Sequence, residues 1–280
     1  MKKINSKIGA IVVLYNPKDE VIDNIKSIFN VTTNIYVVDN SETINNNVVL
    51  FLKEHDIKHY QFNENLGIAY ALKYGMQKCI DDNCDWVLTM DQDSNIPNSQ
   101  YDTLYKLLDE NVVSDFGIIS FNFNNDLKSD KKIDIVDSWI TSGNFVNTAN
   151  YKKISGFREE LFIDYVDFDL NNQFKSIGCK IGVIPNISIK HQIGNPIKIK
   201  FLFLKFTCMN HSPIRYYYRF RNAKFLYKES PHIYKKKYIH ERYIEYFKVI
   251  LFEPNKQKKL KMIKKGLKDA KNKKMGKYLK

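Results

Sequence analysis

Short apolar runs alternate with segments of helical period through the first ninety residues, and this alternation confines the chain to one class of fold. Ile8–Leu14 is an uncharged apolar run of strand length. Asn16 then offers an N-cap with Pro17 at the first helical position. Val21, Ile22, Ile25, Ile28 and Phe29 follow at helical spacing. Ile35–Val38 reads as a second strand ending at Asp39-Asn40, and a helix near 45–54 and a strand near 57–62 come next. Gly67 opens a helix with Ile68, Ala69, Leu72, Met76 and Ile80 on one side. Trp86–Met90 is the fourth strand. Such a sequence predicts an α/β fold, a mostly parallel sheet with helices on both faces.

The pattern changes after Phe116–Phe121. Ile133–Thr141 and Asn144–Thr148 read as strands around Ser142-Gly143. The segment Asp164-Tyr165-Val166-Asp167-Phe168-Asp169 leads into a helix carrying Leu170 and Phe174. Ile181–Ile184 and Ile187–Lys190 read as short strands, and beyond about residue 197 the chain reads as helices rich in Lys, Tyr and Phe. A length of 280 residues suits one large domain or one domain plus an appendage. The expected division is a sheet domain over 1–228 and a basic helical extension over 229–280.

Charge separates the same two regions. Residues 1–197 carry net −7, whereas residues 198–280 hold 25 Lys and Arg against five acids, net +20. A basic third of this kind suits nucleic acid or an anionic membrane surface. Residues 255–280 contain 12 Lys and one acid, Asp269, with Leu260, Ile263, Leu267 and Ala270 at steps of three and four. This is either a basic amphipathic helix lying on a membrane or a solvated tail. The run Ile197–Leu204 either touches lipid or buries against the body. No window reaches 18 uncharged apolar residues, so no membrane span is expected. The N-terminus lacks the apolar core and cleavage site of a signal peptide, which points to the cytoplasm. Four cysteines without a Cys-x-x-Cys pair read as free thiols rather than a zinc site or a disulfide frame.

Ligands of open α/β sheets bind outside the carboxyl ends of the strands. Three polar clusters occupy such ends: Tyr15-Asn16, Asp39-Asn40-Ser41 and Asp91-Gln92-Asp93. Two carboxylates one residue apart at the mouth of a buried strand suit a hard divalent cation shared with a substrate's phosphates. In a chain with 31 acids the pair alone also reads as a solvated turn. The first strand is followed by no Gly-x-Gly-x-x-Gly and no P-loop occurs, which argues against a dinucleotide-binding dehydrogenase and a P-loop nucleotidase.

Taken in order, Val12-Val13-Leu14-Tyr15-Asn16-Pro17, Val37-Val38-Asp39-Asn40-Ser41, Asn63-Glu64-Asn65-Leu66-Gly67-Ile68-Ala69, Asp91-Gln92-Asp93-Ser94, Thr141-Ser142-Gly143-Asn144, Ile163-Asp164-Tyr165-Val166-Asp167 and His191-Gln192-Ile193-Gly194 resemble family 2 inverting glycosyltransferases. The fold implied is GT-A, a Rossmann-like mixed sheet flanked by helices. The run Arg215-Tyr216-Tyr217-Tyr218-Arg219-Phe220-Arg221-Asn222 is similar to the bacterial rhamnosyltransferase branch, and the resemblance covers roughly 8–228.

The resemblance implies transfer of a sugar from a dTDP- or UDP-linked donor to a hydroxyl of a lipid-linked, growing cell-surface polysaccharide. L-Rhamnose from dTDP-rhamnose is the first expectation; galactofuranose, glucose and N-acetylglucosamine are the alternatives. It implies Mg²⁺ or Mn²⁺ held by Asp93, Asp91 and His191. Tyr15, Asn16, Asp39, Asn65, Gly67, Asp91, Arg215 and Arg221 would bind donor, and Ser142, Gly143 and Asp164 would meet acceptor. Asp167 would be the general base, with Asp164 and Asp169 as the other carboxylates at that place. An acceptor on a lipid carrier would place the enzyme at the inner face of the membrane. The rival class is a nucleic-acid-binding protein built on the basic third; the acidic residues Asp39, Asp91, Asp93 and Asp167 in the expected cleft oppose it. A nucleotidyltransferase would need a basic glycine-rich loop after the first strand, and none is present.

Overall fold

Ile8–Leu14 forms β1, buried along its whole length, because an apolar strand with no polar face needs cover on both sides. The computed structural model describes residues 6–96, 107–108, 113–123, 127–189, 197–201 and 204–279. Two compact units emerge: Met1–Glu159 with Val166–Gln192, and Glu160–Tyr165 with Ile193–Lys280. Position 228, the expected domain limit, falls inside the second unit.

In the first unit the described strands form one sheet in the order β3-β2-β1-β4-β7-β5-β8-β6. These are β1, β2 (Ile35–Asp39), β3 (Lys58–Gln61), β4 (Trp86–Asp91), β5 (Phe116–Phe123), β6 (Asp134–Val136), β7 (Asn144–Asn147) and β8 (Lys180–Ile189). β1, β2, β3 and β4 run parallel, β7 runs antiparallel to both β4 and β5, and β5 pairs parallel with β8. The described helices include α1 (Val21–Ile28), α2 (Asn46–Glu54), α3 (Ile68–Asp81), the single turn α4 (Thr148–Tyr151) and α5 (Val166–Ser176). This is the mixed α/β sheet that the sequence predicts.

Local differences have local causes. Helix α1 starts at Val21 rather than at Pro17, because Asn16 adopts a left-handed backbone and its N–H is taken by Ser41 Oγ at 2.7 Å. The Ile133–Thr141 segment is a strand only over Asp134–Val136, and Thr148 begins a helical turn capped by Asn147. The two expected strands at 181–190 are one, β8, with Pro185 inside it. The register slips between Phe121 and Asn122, and Asn122 Nδ2 donates to the Pro185 carbonyl at 2.9 Å.

In the second unit, β9 (Ile197–Phe201) and β10 (Leu204–Cys208) form an antiparallel hairpin. Helices α6 (Pro213–Glu229), α7 (Pro231–Ile239), a π-helical segment His240–Glu245, α8 (Tyr246–Phe252) and α9 (Lys256–Lys271) follow. The Lys-rich tail is a docked helix, not a solvated tail. Its Ile263 packs with Tyr216, Phe220 and Val249, and Leu260 and Leu267 lie against the same cluster. Gly266 permits the approach: a Cβ there would sit 2.4 Å from the Tyr217 carbonyl oxygen. The stripe expected to lie on lipid therefore faces α6.

The segment 160–165 belongs to this unit and holds three non-glycine residues in left-handed conformation, Phe162, Asp164 and Tyr165, each costing about 1–3 kcal/mol. Asn222 Nδ2 donates to the carbonyls of Leu161, Ile163 and Asp164, each at 2.9 Å. Arg221 donates to those of Leu161 at 3.0 Å and Glu160 at 3.2 Å. Asn222→Ala is expected to lower unfolding free energy by about 2–3 kcal/mol, since buried carbonyls lose their donor; urea denaturation checks it.

Candidate functional site

The carboxyl ends of β1, β2 and β4 meet because the three strands are neighbours in parallel register. Leu14 pairs with Asp39 on one side, and Val13 pairs with Asp91 on the other. Two strand spacings separate Asp39 from Asp91, roughly 10 Å between backbones. The three polar clusters expected to converge do so, and a web of hydrogen bonds fixes them.

Gln92 clamps the end of β1: its Oε1 accepts from the Tyr15 N–H at 2.9 Å, and its Nε2 donates to the Tyr15 carbonyl at 3.3 Å. The Tyr15 side chain stays exposed. Asn24 Nδ2 holds the Gln92 carbonyl at 2.7 Å. Beside these loops an open cleft of about 370 Å³ is lined by Asn16, Pro17 and residues 43–47, within the size range of small-molecule sites.

Asp39 is 3% exposed. Its Oδ1 accepts from the Ser41 N–H at 2.9 Å, and His59 Nε2 on β3 stands 3.6 Å from Oδ2. Burial pushes the Asp39 carboxyl up, but the His59 imidazole and the Ser41 donors outweigh it and hold it below the usual carboxylate value. The group is thus an anion at neutral pH, suited to accept from a ring N–H.

Asn65 and Gly67 shape the next loop. Asn65 Oδ1 accepts from the Gly67 N–H at 2.9 Å, and Asn40 Nδ2 donates to the Gly67 carbonyl at 3.0 Å. Gly67 caps α3 at φ 91°, ψ 154°, a region essentially closed to other residues. Gly67→Ala is expected to cost about 1–3 kcal/mol of stability, read as a lowered thermal midpoint.

Asp91 ends β4 half-buried, and Asp93 is exposed in the turn that follows. The Asp91 N–H donates to Ser142 Oγ at 3.1 Å, and Ser142 Oγ donates to Ser94 Oγ at 2.8 Å. Ser142 is 1% exposed, so its hydroxyl braces the acidic turn instead of meeting an acceptor. Gly143 is also buried, its N–H donating to the Thr89 carbonyl at 2.7 Å, and a Cβ there would lie 2.6 Å from Ile189. Both stand in the structure as buried supports of the acidic turn. Among the described residues no group of three or more His, Cys, Asp or Glu is arranged to hold a metal. His191 lies outside the described residues.

The three carboxylates near the start of α5 stand in different surroundings. Asp169 is 2% exposed, accepts from Gln173 Nε2 at 2.6 Å and stands 3.8 Å from Arg158. Asp164, in the second unit, pairs with Arg215 at 2.7 Å. Asp167 is half-buried in the first turn of α5, with Oδ1 accepting from the Phe168 N–H at 2.7 Å. Arg221 is fully buried, its guanidinium spent on backbone carbonyls and on Asn222 Oδ1. Six residues of helix turn it about 240° away from Arg215.

Gln92, Ser94, Asn24 and His59 were not among the expected site residues. Gln92 stood in the sequence only as the spacer of the Asp-x-Asp pair. His59 carried a usable signal, a lone imidazole in a short polar strand next to the one that ends in Asp39.

Comparison with known proteins bears on the fold and the family. The dTDP-rhamnosyl transferase RfbF of Shigella flexneri is 27% identical over 252 residues, covering 81% of this chain and 82% of its own. The structure of GalNAc-T7 with UDP, GalNAc and Mn²⁺ superposes with a TM-score of 0.62 at 10% identity over 95% of this chain. This chain spans little more than half of that protein, 56%. Residues 1–349 of S. aureus TarS in complex with UDP-GlcNAc give 0.60 at 12% identity, over 96% of this chain and 88% of that one. These likenesses are of fold, and the fold is GT-A. A sequence model of glycosyl transferase family 2 matches residues 10–165, more than half of the chain, and the chain belongs to that family.

Proposed function

We propose that this glycosyltransferase moves L-rhamnose from dTDP-rhamnose, with inversion, to a hydroxyl of a growing cell-surface polysaccharide carried on a lipid. The observation that carries the donor choice is the 27% identity to the Shigella flexneri dTDP-rhamnosyl transferase across 81% of the chain. The geometry suits a nucleoside diphosphate: an anionic Asp39 for the base, and about 10 Å away the acidic turn for the diphosphate.

The donor set at that turn fits Mg²⁺ or Mn²⁺. Two carboxylates, the half-buried Asp91 and the exposed Asp93, supply hard oxygen ligands, and such ions complete their shells with substrate phosphates and water. A third protein ligand is therefore not required. GalNAc-T7, of the same fold, was crystallised with Mn²⁺. When bound, the ion neutralises charge on the departing nucleoside diphosphate. Asp39 accepts the thymine or uracil ring N–H, Asn65 and Gly67 shape the pocket wall, and Gln92 keeps the Tyr15 backbone in place. Asp167 takes the proton of the acceptor hydroxyl as its oxygen bonds to the anomeric carbon and the bond from that carbon to the diphosphate breaks. Its neighbours are committed elsewhere, Asp164 to Arg215 and Asp169 to Gln173.

Turnover across a panel of nucleotide sugars, with and without Mn²⁺, tests this. The expected result is metal-dependent release of dTDP from dTDP-rhamnose above all others. Preference for a UDP-linked galactofuranose, glucose or N-acetylglucosamine would replace the sugar assignment.

A further inference from the structure

The second unit sorts its residues in an unusual way. Of the acids in its basic stretch, Glu241, Glu245, Glu253 and Asp269 are all 4% exposed or less. Each is consumed by an internal partner: Arg219 and Glu241 pair by a 2.6 Å contact, Lys248 and Glu245 by 2.8 Å, Lys259 and Glu253 by 2.8 Å, and Lys265 and Asp269 by 2.9 Å. The lysines around them, such as Lys235, Lys236, Lys258, Lys261 and Lys264, are exposed. The described surface from 231 to 279 therefore carries cations with no exposed acid.

Large apolar side chains stand in that cationic surface. Ile239, Tyr243, Phe247 and Leu251 recur every four residues along α7, the π-helical segment and α8, each 43–58% exposed, with Ile244 beside them at 49%. A strict four-residue repeat creeps about 40° per step around a regular α-helix. The wider turn of the π-helical segment His240–Glu245 winds against that creep and keeps the stripe on one side. The opposite side is committed to the core, through Val249 and Tyr246 against Tyr216 and Phe220.

We propose that this Ile239–Leu251 stripe docks the second unit onto an anionic lipid surface. A second copy of the chain fits poorly, since two like-charged faces would meet. Nucleic acid fits less well, since the aliphatic Ile239, Ile244 and Leu251 offer a partner to neither phosphates nor stacked bases. Lipid satisfies both halves of the pattern, acyl chains taking the stripe and anionic headgroups the lysines. The surface replaces the α9 stripe, whose apolar side is spent on α6. It is independent of which sugar the enzyme transfers.

The full-length protein is tested by flotation with phosphatidylcholine vesicles and with vesicles containing 30% phosphatidylglycerol. The wild type is expected to float with the anionic vesicles, with a salt-resistant fraction contributed by the stripe. Phe247→Glu with Leu251→Glu should weaken binding by at least about tenfold, with unchanged melting and unchanged nucleotide-sugar turnover. A milder variant, Phe247→Ser, should show a smaller loss in the same direction. Equal flotation of the double variant overturns the proposal, as does binding that vanishes wholly at high salt. So does a wild-type dimer, seen by light scattering, that the variant dissociates.

Discussion

Asp167→Asn is expected to slow sugar transfer by about 10²–10⁴-fold, the usual worth of a positioned general base, while the protein keeps its fold. Asn preserves the shape and can still accept from the Phe168 N–H, the contact that orients the side chain, but it cannot take the acceptor's proton. Asp169→Asn provides the contrast. That carboxylate is buried beside Gln173 and Arg158, so its change should lower stability first and turnover only through folding. Rates are measured with saturating donor and acceptor, alongside thermal melts. The pH profile separates base from scaffold: the acidic limb of kcat should disappear in Asp167→Asn and persist in Asp169→Asn. Near-normal turnover of Asp167→Asn would remove it from this role and return the choice to Asp164.

The parts of the fold legible in the sequence are those where one physical constraint dominates. Ile8–Leu14 and Trp86–Met90 are apolar on both faces, and only a doubly covered strand accommodates that. The β9–β10 hairpin carries a pattern of its own. Ile197-Lys198-Ile199-Lys200-Phe201 alternates with period two, a strand pattern, set among segments of helical composition. The tail's fate was not legible: Leu260, Ile263 and Leu267 show that α9 has an apolar stripe, but only tertiary packing with α6, allowed by Gly266, says what covers it.

The site follows the same division. Asp39 and Asp91 lie at the ends of recognisable strands, so topology alone brings them to either side of β1. Ser142 and Arg221 are ligand residues only by the family resemblance. Their partners lie 48 and 60 residues away, at Ser94 and Leu161, and no local pattern encodes such pairings. The bracing role of Gln92 is hidden for the same reason, its two bonds to Tyr15 spanning 77 residues.

Asp93→Ala is expected to reduce transfer by at least about a hundredfold, from the several kcal/mol that a metal supplies to charge on a leaving group. Asp93 is exposed in the turn after β4 and packs into no core, so the melting temperature should hold, as for most surface changes. Asp91 differs: it is half-buried at the end of β4, with its backbone N–H tied through Ser142 to Ser94. Calorimetry distinguishes loss of the metal from loss of the pocket. Thymidine, which has no phosphate, should bind Asp93→Ala as it binds the wild type, because Asp39 and the Gly67 loop are untouched. Binding of dTDP should be enhanced by Mn²⁺ in the wild type and insensitive to it in the variant. An unchanged Mn²⁺ response in Asp93→Ala would move the metal away from this turn, and with it the Lewis-acid part of the proposed reaction.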